Sequence, residues 1–311
     1  MEQETSLERN VIVATLPQTG NSAPPQYRLS ELIPNFLRHA QYELSLSLGS
    51  VQKYEECLGW VIRDIGDIVV QELDVGHITI LKQKMATRGA GTARIASVIN
   101  AIKSLLRYCQ EVMELDVLNQ KKIKPPRIRR REVVFLTNEE VEQFIGSIRI
   151  ENKWQGNTKR KCVRMDGLRF RALVEVLLGT GMRISEALSL NRNSIDLEKC
   201  EAKIIGKGNK ERTVFFSARS LQWVKYYLEQ RSDDLHPLFI THRQTRLSRM
   251  DISKQFQRQA LRAGIDKKIT PHILRHTVAT NLLFNGCPIS HVKEILGHDR
   301  LETTCKYYLG V

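Results

Sequence analysis

Apolar residues recur at intervals of three and four along most of the chain, the spacing that gives a helix one buried face. LSELIPNFLRHAQYEL (29–44), SVQKYEECLGWVIRDI (50–65), ITILKQKMATR (78–88) and TARIASVINAIKSLLRYCQEVM (92–113) all follow it. They predict a four-helix domain over residues 27–118, with Ser50 as the N-cap of the second helix. Residues 1–26 include QTGNSAPPQ and keep no period, which predicts a flexible tail.

A second domain is expected over 134–311. It opens with LTNEEVEQFIGSI, where Thr137 and Glu140 match the T-x-x-E capping box of a helix start. The polar stretch RIENKWQGNTKRKCVRMD (149–166) reads as a surface loop, and RFRALVEVLLGTG as an apolar helix stopped by a glycine. EAKIIGKGNKERTVFFS changes the period: Ile, Val and Phe alternate on both sides of a Gly, Asn and Lys centre, the pattern of a β-hairpin. Helical patterns return in SLQWVKYYLEQR, DISKQFQRQALRAG, HILRHTVATNLLFNG, HVKEILG and TTCKYYLG.

Charge then narrows the class of partner. Lys and Arg number 48 against 34 Asp and Glu, a formal +14 in a chain of 311 residues, which points to a polyanion and first to nucleic acid. With 41% hydrophobic and 26% charged residues, and no apolar run near the roughly 20 needed to cross a bilayer, a soluble cytoplasmic protein with no membrane segment is expected. The N-terminus MEQETSLERN has no apolar signal core. Cys57, Cys109, Cys162, Cys200, Cys287 and Cys305 form no CxxC pair, so neither a zinc site nor a disulfide framework is expected.

Between the two domains, residues 119–133 contain KKIKPPRIRRR. Its cations are Lys121, Lys122, Lys124, Arg127, Arg129, Arg130 and Arg131, with two prolines that favour extended chain. Such a run can be a solvated linker. In a basic two-domain chain the reading that it crosses a duplex, each cation meeting a phosphate, is favoured.

The densest candidate chemistry is ITPHILRHT. Thr270 suits an N-cap and Pro271 the first helical position. His272, Arg275 and His276 then share one helix face, which is either solvated surface or an anion grip.

In chain order TGMRISEALSL, IIGKGNKER, HILRHT, ILGHD and CKYYLG resemble the motifs of the tyrosine recombinase (phage integrase) family, in its compact Xer-like branch. The likeness covers about 170 residues of the second domain. It implies a mainly α fold: an N-terminal four-helix core-binding (SAM-like) domain and a mixed α+β catalytic domain with a small antiparallel sheet. It also implies roles. Arg183 and Arg275 would hold the scissile phosphate, and Tyr307 would attack it to form a 3′-phosphotyrosine ester, with no ATP, metal or other cofactor required. Lys207 would protonate the leaving 5′ oxygen, Lys210 would touch a phosphate, His272 would accept the tyrosine proton or bond the phosphate, and His298 would bond a non-bridging oxygen. Tyr308 is the rival phenol and reads better as a packing aromatic. His276 is expected to pack or bond within the domain, Glu186 to orient Arg183 from the same helix face, and His291 to lie on the surface. Trp60, Trp154 and Trp223 fit no motif.

The resemblance further implies double-stranded DNA as partner and a homotetramer on two recombination sites, joined through a Holliday junction. Integration or excision of a mobile element is the first expectation, and Xer-type chromosome or plasmid dimer resolution the alternative. A type IB topoisomerase-like activity and a non-catalytic DNA-binding protein are rivals from other classes. Xer-like relatives continue past the tyrosine into a helix that docks on a neighbouring protomer. Four residues follow Tyr307 here, so assembly by other contacts is expected if the chain is complete.

Overall fold

The first apolar period folds into α1 (Leu29–Tyr42), α2 (Leu48–Ile65), α3 (Val75–Thr87) and α4 (Thr92–Glu111). The structure is a computed structural model and describes residues 25–128, 133–152, 162–163, 165–206 and 211–297. The chain divides into two compact units, Met1–Arg130 and Arg131–Val311. In the first, Leu32, Phe36, Leu58, Leu81, Ile99 and Leu105 meet in the core, each supplied by the apolar stripe of its helix.

The cap of α2 is Ser47, not Ser50. Leu46 N–H still bonds back to Ala40 O of α1 (3.1 Å), so the chain has reversed by residue 46 and the helix starts at once. Ser50 lies within the first turn, its hydroxyl 3.0 Å from that of Ser47.

The near half of the basic linker is tied to this unit. Gln120–Lys122 make a 3-10 turn, Ile123 buries its side chain in the core, and Lys124 O accepts from Lys82 Nζ at 2.7 Å. Lys121, Lys122, Lys124 and Arg127 stay exposed around that anchor, because one apolar residue in the run is enough to fix the backbone while the ammonium groups remain hydrated. Arg129, Arg130 and Arg131 lie outside the described residues.

In the second unit α5 (Asn138–Gly146) carries the predicted capping box: Glu140 N–H donates to Thr137 Oγ1, and Thr137 N–H to Glu140 Oε2 at 2.8 Å. The stretch expected to be loop contains a short antiparallel ladder, β1 (Glu151–Asn152) with β2 (Cys162–Val163). Two residues a side are too few for alternation to show in the sequence.

Helix α6 (Met165–Thr180) buries Leu168, Phe170, Leu173, Val176 and Leu177 on more than one side, as a central helix of the unit does, and keeps Asp166 exposed. It packs against α8 (Ala218–Glu229) and α10 (Pro271–Phe284). Phe170 packs edge-on against Phe256 of α9 (Arg249–Arg262), ring centroids 5.0 Å apart, and Phe144 joins the cluster.

The predicted hairpin is present. β4 (Glu201–Ile205) pairs with β5 (Glu211–Phe215), Ile205 opposite Glu211, and β3 (Ile195–Asp196) adds a third antiparallel strand on β4. The fold is thus mainly helical with a small antiparallel sheet. Helix α7 (Ile184–Ser189) precedes the sheet and α11 (Ile289–Leu296) follows α10. The predicted helix TTCKYYLG lies outside the described residues. Among those residues no helix is long and apolar enough to cross a membrane.

Candidate active site

Two glycines set the framework. After α6 the chain turns through Gly181 in the left-handed region (φ 62°), where a Cβ would stand 2.7 Å from Leu296 Cδ2. After α11 it turns through Gly297 (φ 64°), where a Cβ would stand 2.8 Å from Arg212 Cζ. Glycine is needed at both for conformation and for room. Ala279, Val292 and Leu296 form a small apolar cluster that docks α11 on α10, bringing the end of α11 beside Gly181.

Arg183 and Arg275 converge on that end. Arg275 is 4% exposed, and its Nη1 donates to Gly181 O (2.8 Å) and its Nη2 to Leu296 O (2.5 Å). Arg183 Nη2 donates to Gly297 O at 2.8 Å. The last carbonyls of a helix have no partner within it and form the negative end of its dipole, so two guanidiniums satisfy both needs there.

Glu186 holds Arg183 from the other side. Arg183 is the N-cap of α7, in extended backbone, so the two residues do not share a helix face as expected: Glu186 is the N3 residue reaching back. It accepts from Arg183 N–H (2.7 Å) and from Arg183 Nη1 (3.0 Å). The expected orienting bond is therefore present by a different geometry.

Glu186 also receives both arms of Arg212 on β5, Nη1 to Oε1 and Nη2 to Oε2, each at 2.9 Å. Burial alone would raise this carboxyl. The Arg212 bonds, the Arg183 N–H and the nearby positive charge outweigh burial and hold it below the usual carboxylate range. One carboxylate thus lies between two guanidiniums, leaving a net +1.

Thr270 caps α10 by accepting from Ile273 N–H, and Pro271 takes the first position, as predicted. His272 is exposed on the first turn. Desolvation lowers its pKa first, followed by the charges of Arg275, Arg249 and Arg183. His276 is half-buried with its ring 5.9 Å from that of His272. Burial, then His272 and Arg275, bring its pKa down to about 4. The downward shift favours the neutral ring of His272, the form that can accept a proton or share one. His291 is exposed on α11, as expected.

Of the predicted site residues, Arg183, His272 and Arg275 therefore meet in one cationic field. Lys207, Lys210, His298 and Tyr307 lie outside the described residues, as do Tyr308 and Trp154. The sequence reading missed Arg212 and Arg249 as members of this field. Arg212 ends the quoted motif IIGKGNKER, but only the hairpin register brings it to Glu186. The remaining tryptophans stack with cations: Arg63 sits 3.7 Å from the Trp60 ring centroid, and Arg171 sits 4.4 Å from that of Trp223.

The sequence model of the phage integrase family matches residues 128–311, more than half of the chain. The chain belongs to this family, the tyrosine recombinases. Tyrosine recombinase XerC of Proteus mirabilis is 29% identical over 286 residues, covering 90% of this chain and 89% of its own. XerC of Chlamydia muridarum is 31% identical over 236 residues, 74% of this chain and 70% of its own. Among solved structures, the Tn1549 transposon integrase (R225K) with circular intermediate DNA superposes with TM-score 0.73 at 17% identity, covering 90% of this chain and 94% of its own. XerH bound to palindromic difH substrate gives TM-score 0.67 at 24% identity, with 90% and 80% covered. These two likenesses concern the fold. As a tyrosine recombinase of Xer-like type, the protein is a site-specific recombinase, an enzyme that breaks and rejoins DNA strands.

Proposed function

We propose that Arg183, Lys207, His272, Arg275, His298 and Tyr307 form one active centre on a scissile phosphate of double-stranded DNA. The observation that carries this reading is the meeting of Arg183 and Arg275 on consecutive carbonyls at the end of α11, with His298 next in the chain. A phosphodiester resists attack because its oxygens already carry charge and the transition state concentrates more, so oriented guanidiniums are the donors it needs.

The Tyr307 oxygen forms a bond to phosphorus and the bond to the 5′ oxygen breaks. His272 takes the phenolic proton or bonds the phosphate, while Lys207 gives a proton to the departing oxygen. The 3′-phosphotyrosyl ester keeps the bond energy, and the free 5′ hydroxyl of a partner strand reverses the step to rejoin the DNA. His298 bonds a non-bridging oxygen. Lys210 and the linker cations Lys121, Lys122, Lys124, Arg127, Arg129, Arg130 and Arg131 contact backbone phosphates.

The enzyme acts in the cytoplasm as a homotetramer on two sites, integrating or excising a mobile element. One observation favours a second reading, chromosome or plasmid dimer resolution: relatives of 29–32% identity bear the name XerC.

Incubation with a nicked half-site tests the centre. A covalent protein–DNA adduct is expected from the wild type and none from Tyr307→Phe. Adduct kept there but lost in Tyr308→Phe would move the nucleophile by one residue. Relaxation of supercoiled DNA without site preference would favour a topoisomerase, and DNA binding with no adduct from any phenol a non-catalytic protein.

A further inference from the structure

We propose that Arg212 is a positioning residue: it neutralises and fixes the Glu186 carboxylate so that the charge of Arg183 remains available to the reacting phosphate. The inference rests on the assignment of Arg183 to the phosphate. The geometry is a four-bond cradle. Each Glu186 oxygen takes one donor from Arg212 and one from Arg183, Oε1 from Arg212 Nη1 and Arg183 Nη1, Oε2 from Arg212 Nη2 and the Arg183 main chain.

Two features show that Arg212 is fixed rather than a mobile surface cation. Its side chain is 16% exposed, its Nε is buried with no hydrogen-bond partner among the described residues, and the guanidinium lies against Gly297, where even a methyl group would stand 2.8 Å from Nε and Cζ. Its backbone is set by the β4–β5 ladder, Arg212 opposite Ile204. The two-armed fork to Glu186 holds the guanidinium in one orientation.

Charge arithmetic gives the function of this arrangement. With Arg212 in place, Glu186 and two guanidiniums sum to +1. Without it, Glu186 and Arg183 sum to zero, and a carboxylate relieved of one fork can turn both oxygens toward Arg183, drawing it from Gly297 O. An anion at Arg183 would then face a neutral pair instead of a cation.

Arg212→Ala is therefore expected to slow single-turnover cleavage of a nicked half-site about 10- to 100-fold, the effect of a small misplacement of a catalytic donor. Arg212→Lys, which keeps the charge but not the fork, falls between. The discriminating variant is the double replacement Arg212→Ala with Glu186→Gln: removing the carboxylate frees Arg183 again, so cleavage recovers in part. A purely structural role predicts a double variant no better than the single one. Inorganic phosphate, read as a shift in Tm, gives the same order without any chemistry: wild type, then the double variant, then Arg212→Ala. Wild-type cleavage and phosphate response in Arg212→Ala, or a double variant no better than Arg212→Ala by both readouts, would overturn the proposal. If the wild type leaves the half-site uncut while the phosphate order holds, the recombination centre fails and the role of Arg212 stands.

Discussion

Arg183 and Arg275 donate to consecutive main-chain oxygens, Gly297 O and Leu296 O, yet they are anchored differently behind that contact. Arg183 leans on a carboxylate and is 27% exposed, whereas Arg275 is buried between two carbonyls. Their alanine variants should therefore separate activity from stability. Each is expected to lower cleavage by about 10² to 10³, the loss typical of one oriented donor. Arg275→Ala also leaves Gly181 O and Leu296 O without that partner and should cost about 2 kcal/mol or more of stability. Arg183→Ala leaves Gly297 O without that donor, but Glu186 keeps both arms of Arg212 and the main-chain N–H of residue 183, so the loss should be smaller, about 1 kcal/mol. Urea midpoints beside single-turnover rates check both; equal destabilisation would contradict the difference in anchoring.

The glycine before His298 offers a second test. Gly297→Ala must accept a left-handed backbone and also displace Arg212, whereas Gly286→Ala has a similar φ of 80° with nothing among the described residues within 4 Å of the added carbon. The conformational part is about 1–2 kcal/mol in both. Gly297→Ala is expected to lose more stability than Gly286→Ala and to slow cleavage, while Gly286→Ala leaves cleavage near wild type. Chemical denaturation of the pair reads the excess, which reports the contact with Arg212.

Acid should weaken the second unit through His276. Its folded-state pKa of about 4 lies below the ordinary 6.5, so the unfolded chain binds the proton more readily. The contribution to stability is complete above about pH 6.5 and is lost as the pH falls toward 4. The wild type should lose unfolding free energy relative to His276→Phe as the pH falls across that window. A constant gap would show that His276 does not carry the dependence.

Salt reports on the linker. If Lys121, Lys122, Lys124 and Arg127 meet phosphates, replacing all four with alanine should reduce the slope of log K against log salt by about 0.9 per contact. Filter binding or fluorescence anisotropy at graded salt gives the slope. An unchanged slope would leave these cations solvated and move the DNA path elsewhere.

The helices and the hairpin were legible because period alone distinguishes them: Leu32, Phe36 and Ala40 fall on one face of α1, and Ala202, Ile204 and Val214 on one face of the sheet. The capping positions Thr137 and Thr270 were legible because a hydroxyl before an apolar run has a local purpose. Ser47 was not, since the end of the preceding turn chose between two serines. The two arginines were recognisable from their motifs, but what orients them was not. Glu186 and Arg212 stand 26 positions apart, and Arg275 and Gly181 stand 94 apart, distances that no periodicity encodes. Arg249 had no signal beyond being one cation in a basic helix.

The main-chain oxygens that hold Arg275 have a consequence for how this centre can diverge. A carbonyl is present whatever amino acid supplies it, so replacements at position 296 are filtered by the apolar fit of α11 on α10 and not by the chemistry of the grip. Drift in the neighbouring side chains can reshape the surroundings of this arginine while its hold persists, provided the backbone path through the two left-handed glycines is kept.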